Sequence, residues 1–442
     1  MSYLNTLKKY STLVLALLIV QAGVLVFSWA NGHVYTQDSY EYLQQAENLL
    51  KEGHWSCGTP LETAADKSLW SRRPPGYAVF ILMTSLGLNF PLMTLMAQGI
   101  LSVFNLTLAL YLFIITTKRN PPVLLFTCFF LSFPSQYIYG AHFMSEIPFQ
   151  TCLLAGAFFL IRFIESRSGR LFLIQQLCWA GAYLLKPVAV FLWIPIGLFC
   201  LLKYRSAENH TAILAGTALH ILLTGLIILH NNHHTGVAEY SSIGTKLLLN
   251  YNIPSIMNTA VGEEACNRYM DSLQIQLGTL NYAVQKKIVI KETIQQYLTH
   301  LFSAIGAHIR GMIRFFLEPG RWDLLLLLDG MDAGKSQESL LKIWRDDGVV
   351  EMARTILRMN PVYTAYMVAA TLSSALLLWL FCLSLINRAT PLPYKFLLAA
   401  LIFYIALLTG PSASARFRLP VFPLMVITAA AFPLMKPSLK PE

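Results

Sequence analysis

The chain of 442 residues is 55% hydrophobic and only 13% charged, with a mean hydropathy of +0.52. Soluble domains carry roughly 25% charged residues, so this composition excludes a soluble protein and predicts an all-α polytopic membrane protein. The net charge of +10 does not indicate nucleic acid, because the Lys and Arg residues stand at the ends of apolar segments and form no basic stripe.

Apolar segments of spanning length recur along the chain, and we expect about ten transmembrane helices, with thirteen as the upper limit. The first, 11–30, follows Lys8 and Lys9, which place its amino end in the cytoplasm by the positive-inside rule. The other nine run approximately over 92–116, 123–139, 147–164, 171–185, 188–202, 212–230, 362–386, 396–410 and 419–433. The basic residues between these segments lie in alternate connections, which all face the cytoplasm if both termini do, and ten spans satisfy that arrangement.

Two longer polar segments are expected on the outer side, the first loop (31–89) and the second loop (231–361). In the first loop a helix is predicted over 39–52, and the apolar stretch 76–88 is too short to span and is interpreted as a juxtamembrane or re-entrant helix. In the second loop, 301–317 is amphipathic, which is typical of an interfacial helix. The chain is therefore divided into an amino-terminal membrane module (1–230), the second loop, and carboxy-terminal spans (362–442).

Five cations break the positive-inside rule on the expected outer side. Arg72 and Arg73 lie in the first loop, Lys186 lies between two short spans, and Arg416 and Arg418 precede the last span. A cation kept at the outer surface is a candidate ligand for an anion such as a lipid phosphate. The alternative for each one is snorkelling to the interface, or a random exception to the positive-inside rule.

Two acids share this side of the membrane. Asp38, with Glu41 three residues later, is either a functional carboxylate or the N-cap of a helix with a capping-box glutamate. Glu146 occupies a tight junction between two spans, where helix capping ahead of Pro148 is the alternative. Two acids facing several cations across one lumen predict a functional site.

The motifs that contain these residues follow one another in a recognisable order: Asp38-Ser39 with Tyr42, Arg72-Arg73-Pro74-Pro75-Gly76-Tyr77, Ser145-Glu146-Ile147-Pro148, Leu185-Lys186-Pro187 and Arg416-Phe417-Arg418-Leu419-Pro420. In order and topology they resemble the GT-C superfamily of membrane glycosyltransferases, in particular the group of lipid A aminoarabinose transferases and protein O-mannosyltransferases. The second loop matches no motif of that family.

The resemblance implies an inverting glycosyltransferase that moves a sugar from a polyprenyl-phosphate donor to an acceptor hydroxyl or amine at the outer membrane face. Asp38 would act as general base, and Glu146 would position the acceptor or a cation. The donor phosphate would be bound by Arg72, Arg73, Lys186, Arg416 and Arg418. Acceptor or lipid contacts are assigned to Glu41, Tyr42, Tyr77, His142, Arg310 and Arg314.

The acceptor is expected to be a glycan, a lipid or a protein selected by the second loop, at a bacterial inner membrane whose outer face is periplasmic; the endoplasmic reticulum is the weaker option. No metal ligand is assigned, although Asp38 and Glu146 could hold a divalent cation. The histidine-rich run 230–234 also permits a zinc interpretation, against that of an ordinary polar span exit. Cys57 and Cys266 could pair as a disulfide. The segment 329–336 is rejected as a phosphate loop, because Asp329 replaces the first glycine.

Two other function classes compete with the transferase. A transporter or flippase of lipid-linked glycans would also have many spans and cations along a path, although no inverted repeat is evident. A glycan ligase or polymerase of another fold would share the substrate and would centre its chemistry on the second loop.

Overall fold

The computed structural model describes residues 3–204, 207–331, 348–351, 354–355, 361–386 and 391–432. Within these residues all regular structure is helical, which confirms the all-α class. Six helices are long and apolar enough to cross a membrane: Ser11–Ala30, Pro91–Thr117, Glu146–Ser166, Asn209–Thr235, Pro361–Ile386 and Leu392–Ser412. The chain is an integral membrane protein.

The α-helices before 332 and after 360 are α1 (Tyr3–Lys9), α2 (Ser11–Ala30), α3 (Gln37–Lys51), α4 (Pro60–Ala65), α5 (Gly76–Thr84), α6 (Pro91–Thr117), α7 (Val123–Leu131), α8 (Pro134–Ile138), α9 (Glu146–Ser166), α10 (Gly169–Leu185), α11 (Trp193–Lys203), α12 (Ala207–Thr235), α13 (Ile243–Leu247), α14 (Ile253–Val261), α15 (Glu263–Gly278), α16 (Tyr282–Thr299), α17 (Leu301–Leu317), α18 (Arg321–Asp329), α19 (Pro361–Ile386), α20 (Leu392–Thr409), α21 (Ala415–Arg418) and α22 (Phe422–Ala430). Short 3₁₀ turns occupy Lys67–Trp70, Pro187–Ala189, Gly410–Ser412 and Leu419–Val421, and Leu248–Asn252 is π-helical.

The other four predicted spans coincide with shorter helices. The segment 123–139 is divided into α7 and α8 ahead of Pro134, while α10, α11 and α22 have 17, 11 and 9 residues. At a rise of 1.5 Å per residue, a nine-residue helix covers only about 14 Å of a hydrocarbon core roughly 30 Å thick. Length and composition therefore support six spans, and the number of ten stays a prediction.

The centre of the bundle is α22, whose residues are buried from Phe422 to Ala430. It is packed by α6, α19 and α20, and the Phe422 ring stacks on that of Phe133 at a centroid distance of 4.1 Å. Small residues such as Ala429 and Ala430 allow neighbouring membrane helices to approach closely. A small residue also allows α9 and α10 to approach closely, because a Cβ at Gly156 would lie 2.1 Å from Trp179 Nε1.

Helix ends that are distant in sequence meet at one end of the bundle, which we call the cluster end. It contains the start of α9 at Glu146, the residue after α10, Lys186, and the segment that follows α20 and carries Arg416. At the opposite end, Glu165 at the end of α9 accepts hydrogen bonds from Lys118 Nζ at 3.0 Å and from the Tyr394 hydroxyl at 3.3 Å. The antiparallel pair of α9 and α10 thus brings Glu146 beside Lys186.

The two loops lie on each other at the cluster end. In the first loop the predicted helix 39–52 is α3, and 76–88 contains only the nine residues of α5 as helix. In the second loop the amphipathic helix has the predicted bounds, as α17, and it exposes Ile305, Ile309 and Ile313. Residues 332–347, which include most of the rejected phosphate-loop-like segment, lie outside the described part of the chain.

The buried carboxylate of Glu239 holds the loops together. It accepts hydrogen bonds from Ser71 Oγ of the first loop at 2.8 Å and from the Tyr282 hydroxyl at 2.7 Å, and it pairs with Lys286 Nζ at 2.6 Å. Separating a buried charge from its partners is costly, because the charge is then left uncompensated away from water. The second loop is therefore fastened to the first.

Candidate functional site

Asp38 lies in the first turn of α3 but does not cap this helix. The N-cap is Thr36, whose Oγ1 accepts a hydrogen bond from Ser39 N at 3.3 Å, while Ser39 Oγ accepts one from Thr36 N at 2.8 Å. This reciprocal pair is the capping box, so the interpretation of Asp38 and Glu41 as cap and capping-box glutamate is wrong. The carboxylate of Asp38 is left to bind other groups.

Two arginines from distant parts of the chain bind Asp38. Arg73 Nη2 donates to Oδ1 at 2.8 Å, and Arg416 Nη2 donates to Oδ2 at 2.6 Å. Burial alone would raise the pKa of the Asp38 carboxyl, but Arg416 and Arg73 outweigh burial and hold the pKa well below its ordinary value. Asp38 is therefore ionised at neutral pH, with both oxygens engaged.

Glu146 is fully buried at the start of α9, and cations rather than helix amides bind its side chain. Its Oε1 accepts hydrogen bonds from Lys186 Nζ at 2.8 Å and from Arg416 Nε. Its Oε2 has no hydrogen-bond partner among the described residues. Arg416 thus bridges both predicted acids, and one buried carboxylate oxygen remains free to accept a hydrogen bond.

Further charges extend the network into the first loop. Glu41 Oε2 accepts from Arg73 Nε at 2.8 Å and Glu41 Oε1 from Arg72 Nη1 at 3.1 Å, with Lys246 Nζ 3.9 Å away. Arg72 Nη2 also donates to Asp66 Oδ2 at 2.8 Å. We call the whole set the ion-pair cluster. It comprises the cations Arg72, Arg73, Lys186, Lys246 and Arg416 and the acids Asp38, Glu41, Asp66 and Glu146, so five positive charges face four negative ones.

A buried acid supports Arg416 through a tyrosine. The Arg416 guanidinium lies 5.7 Å from the centroid of the Tyr139 ring, and the Tyr139 hydroxyl donates to Asp323 Oδ1 at 2.8 Å. Ser135 Oγ donates to the other Asp323 oxygen at 2.5 Å. Asp323, Asp66 and Lys246 were not predicted, because a single charge in the sequence carries no local signal of its distant partner.

Arg418 does not join the ion-pair cluster. It is fully buried, and its guanidinium donates to the carbonyl oxygens of Phe316 and Glu318 at the end of α17, the second at 2.8 Å. It also lies 4.8 Å from the centroid of the Phe133 ring. These contacts give Arg418 a packing role between α17 and the core.

Three predicted contact residues lie next to the cluster. The Tyr42 ring lies 5.0 Å beneath the Arg73 guanidinium, its hydroxyl hydrogen-bonds Ser145 Oγ at 2.9 Å, and its ring packs edge-on against Tyr77. Tyr77 donates to Gln98 Oε1 at 2.5 Å. His142 Nδ1 donates to the Ile138 carbonyl at 2.7 Å, and burial lowers the pKa of this histidine to about 4, so it is neutral at pH 7.

The predicted contacts Arg310 and Arg314 stand apart on the exposed side of α17. Arg310 donates to Thr259 Oγ1 within the second loop, and neither arginine forms an ion pair with an acid of the cluster. Cys57 and Cys266 do not form the disulfide considered above. Both are free and buried, Cys266 in a separate apolar cluster of the second loop.

The histidine-rich run packs on tryptophans of the first loop. His230 stacks on Trp55 at 3.7 Å and His234 on Trp70 at 4.0 Å between ring centroids. In the described part of the chain, no three His, Cys, Asp or Glu side chains are grouped to hold a metal ion. A divalent cation shared by Asp38 and Glu146 would have to displace the Arg416 guanidinium between them.

The ion-pair cluster can bind an anion by exchanging carboxylates for it, and its acids can accept protons or hydrogen bonds once the arginines move. No protein-family model matches the chain, and no curated protein is significantly similar to it.

Proposed function

We propose that the chain is a membrane glycosyltransferase of GT-C type, which transfers a sugar from a polyprenyl-phosphate donor to an acceptor hydroxyl or amine. The observation that carries this proposal is the position of Asp38 between Arg73 and Arg416, with Lys186 and Glu146 beside them, at one end of a membrane helix bundle. A lipid-anchored donor presents its phosphate at that depth and leaves its tail in the bilayer. The site would face the periplasm from a bacterial inner membrane.

Donor binding would rearrange the ion pairs. The donor phosphate competes with Asp38 and Glu146 for Arg73, Lys186 and Arg416, because all three groups are anions that accept hydrogen bonds. As the guanidinium groups turn to the phosphate, Asp38 loses the charges that depress its pKa, and the pKa rises toward its ordinary value. A carboxylate that is a weak base in the free protein thus becomes a better one when the donor is bound.

The transfer step forms one bond to the anomeric carbon and breaks another. The acceptor oxygen attacks the anomeric carbon from the face opposite the phosphate, and its proton passes to Asp38. The bond between the anomeric carbon and the phosphate oxygen breaks, and its electron pair leaves with the polyprenyl phosphate, which Arg73, Lys186 and Arg416 stabilise. Attack from the opposite face inverts the anomeric configuration. Glu146 Oε2 accepts a hydrogen bond from the acceptor.

Two of the cations assigned to the donor receive other roles in this proposal. Arg418 is occupied by backbone carbonyls and is left out of the phosphate site. Arg72 lies between Glu41 and Asp66 and holds the first loop in shape, which positions Arg73. The donor phosphate is therefore assigned to Arg73, Lys186 and Arg416.

Mass spectrometry of lipids extracted from the purified full chain tests the proposal. We expect a glycosylated polyprenyl phosphate in the wild-type extract, and at least tenfold less of it with Arg73→Gln and Arg416→Gln combined. Arg268→Gln is the matched control, because Arg268 forms an exposed pair with Glu264 in the second loop. Equal recovery from the double variant and the wild type would contradict the proposed donor site.

Transfer by the purified chain in lipid nanodiscs gives a second test. With the donor identified by mass spectrometry, sugar transfer that survives in Asp38→Asn would rule out Asp38 as the base.

A further inference from the structure

A cavity of about 890 Å³ adjoins the ion-pair cluster in the first loop. Glu41, Asp66 and Arg72 belong to both, whereas Asp38 and Arg416, which hold the centre of the cluster, do not line the cavity. Ligand pockets usually have volumes of roughly 300–1,000 Å³. The cavity is thus large enough for a sugar-sized ligand beside the proposed donor site.

Three aromatic side chains line one part of the cavity. Tyr35 stacks on Tyr40 with a centroid distance of 5.8 Å and an angle of 20°, and on Phe143 at 5.6 Å and 17°. Leu43 and Leu88 add aliphatic surface. Flat, rigid aromatic surface binds a ligand with apolar C–H faces at low cost in side-chain entropy.

The charged lining residues are mainly acidic. They are Glu41, Glu47, Glu62 and Asp66, with Arg72 as the one basic residue among the described lining residues. Arg72 pairs with Glu41 and Asp66, and Glu62 accepts hydrogen bonds from Thr59, so Glu47, whose partner Lys51 is exposed, is the acid most available to a ligand. Ionised carboxylates only accept hydrogen bonds, so they favour hydroxyl and ammonium groups and repel phosphate or carboxylate groups. The cavity therefore differs in charge from the cation-rich part of the cluster around Arg416.

The cavity reaches the apolar surface where α5 turns into α6. Leu88 and Pro91 line it, and their neighbours Leu86 and Phe90 are 57% and 56% exposed. In a membrane protein such side chains lie against lipid or the interface. A ligand in the cavity could therefore also be the head group of a lipid.

From these observations we propose that the cavity binds a saccharide unit of the acceptor, which is uncharged or carries an amine and is distinct from the group that reacts at Asp38, outside the cavity. The aromatic rings contact its C–H faces, and the carboxylates accept hydrogen bonds from its hydroxyl or ammonium groups. This inference rests on the proposed transferase function, and it moves acceptor recognition from the second loop to the first.

Saturation-transfer NMR on the full chain, in phospholipid nanodiscs free of glycoside detergent, tests the binding without donor or turnover. The probes are the methyl glycosides of glucose, galactose, mannose and glucosamine, with glucose 6-phosphate as the anionic comparison. We expect at least one methyl glycoside to bind, with its affinity reduced at least roughly fivefold, the effect of about 1 kcal/mol, in Glu47→Gln and in Tyr40→Ala. The signal of glucose 6-phosphate should not depend on either residue.

Matched controls come from the second loop. Glu264→Gln removes the acid of an exposed pair spaced four residues apart, as Glu47→Gln does for its pair with Lys51. Tyr251→Ala removes a tyrosine that is 48% exposed, close to the 53% of Tyr40. Both controls should leave binding unchanged.

The NMR results distinguish a failure of the proposed acceptor site from a failure of the proposed transferase function. If no methyl glycoside binds, or if binding is equally strong in both cavity variants, the acceptor site proposed here is overturned, whatever the donor experiments show. Binding that needs Glu47 and Tyr40 upholds the cavity even if no sugar transfer is ever detected. Octyl glycosides that bind at least tenfold more tightly than methyl glycosides would identify the source as a lipid-linked saccharide, and equal affinities would identify a soluble glycan.

Discussion

Arg416 and Asp38 are 378 positions apart in the sequence, yet the guanidinium of one donates to the carboxylate of the other at 2.6 Å. The contact joins the segment after α20 to the first turn of α3, and through Arg416 Nε it continues to Glu146 on α9. Three separate elements therefore share one guanidinium, and its position sets the distance between the two acids.

Asp38→Asn should abolish transfer and leave the fold largely intact. The expected fall in the transfer rate is at least about 10²-fold, the usual contribution of a general base. The amide oxygen still accepts from one arginine, and α3 keeps its cap, because Thr36 and not Asp38 provides it. The measurements are the transfer rate in nanodiscs and the melting temperature of the same samples.

Thr36→Val is the matched variant, because it removes the actual cap. It should cost about 0.5–2 kcal/mol of stability and preserve transfer in the folded protein. If Asp38→Asn were the more destabilised and the more active of the two, the roles given to these neighbours would have to be exchanged.

The start of α3 shows which structural features could be predicted from the sequence and which could not. The periodicity of 39–52 and 301–317 predicted α3 and α17 well, because amphipathic spacing is a local property. The choice of cap failed because Thr36, Asp38 and Ser39 are all good capping residues, and the preference of Asp38 for Arg73 and Arg416 depends on contacts far along the chain. Topology correctly grouped Arg73, Lys186, Arg416, Asp38 and Glu146 at one end, but it gave Arg418 the same role, although that side chain points into the core.

Acidification should destabilise the protein through His142. Burial holds its pKa at about 4 in the folded chain, against an ordinary value of about 6.5. Between these values the unfolded chain binds a proton that the folded chain does not, so stability rises with pH and is lost as the pH falls. From pH 7 to pH 5 the loss from this residue is about 2 kcal/mol.

Melting temperatures at pH 7 and pH 5 measure the loss of stability that is caused by protonation of His142. The drop on acidification should be smaller in His142→Gln than in the wild type, whatever the two proteins' stabilities at pH 7. An identical drop in both would mean that His142 is protonated in the folded protein.

Gly76→Ala should damage the site through the backbone. A Cβ at position 76 would lie 2.5 Å from the carbonyl oxygen of Leu184, two residues before Lys186. Because backbone atoms cannot rotate away, α5 must shift from the end of α10, at a cost of about 1–3 kcal/mol. We expect a lower melting temperature and slower transfer, since Arg73 moves relative to Lys186.

Gly23→Ala provides the comparison, because no atom lies within 4 Å of a Cβ at that position of α2. It should be neutral or slightly stabilising, as expected when alanine replaces glycine inside a helix. Equal melting temperatures and rates for the two variants would contradict the close contact at Gly76.

Glu239→Gln should loosen the second loop. The variant loses the charge that pairs with Lys286 and weakens the hydrogen bonds with Ser71 and Tyr282, for an expected loss of about 1–3 kcal/mol. Limited proteolysis should cut within 243–299 faster than in the wild type. Glu264→Gln, which removes one side of an exposed pair, should change stability by less than about 0.5 kcal/mol and leave the cleavage rate as it was. Unchanged proteolysis in Glu239→Gln would show that other contacts hold the loop.

During biosynthesis Asp38 is added to the chain long before Arg416. At a translation rate of roughly 5–20 residues per second, about 20 to 80 s pass between the addition of the two residues. During that interval the nascent chain already contains Asp38, Glu41 and Arg73, but it lacks the guanidinium that joins Asp38 to Glu146. A nascent chain that ends before Arg416 therefore has no complete site, and any activity that depends on Arg416 begins only after α1 to α20 have been synthesised.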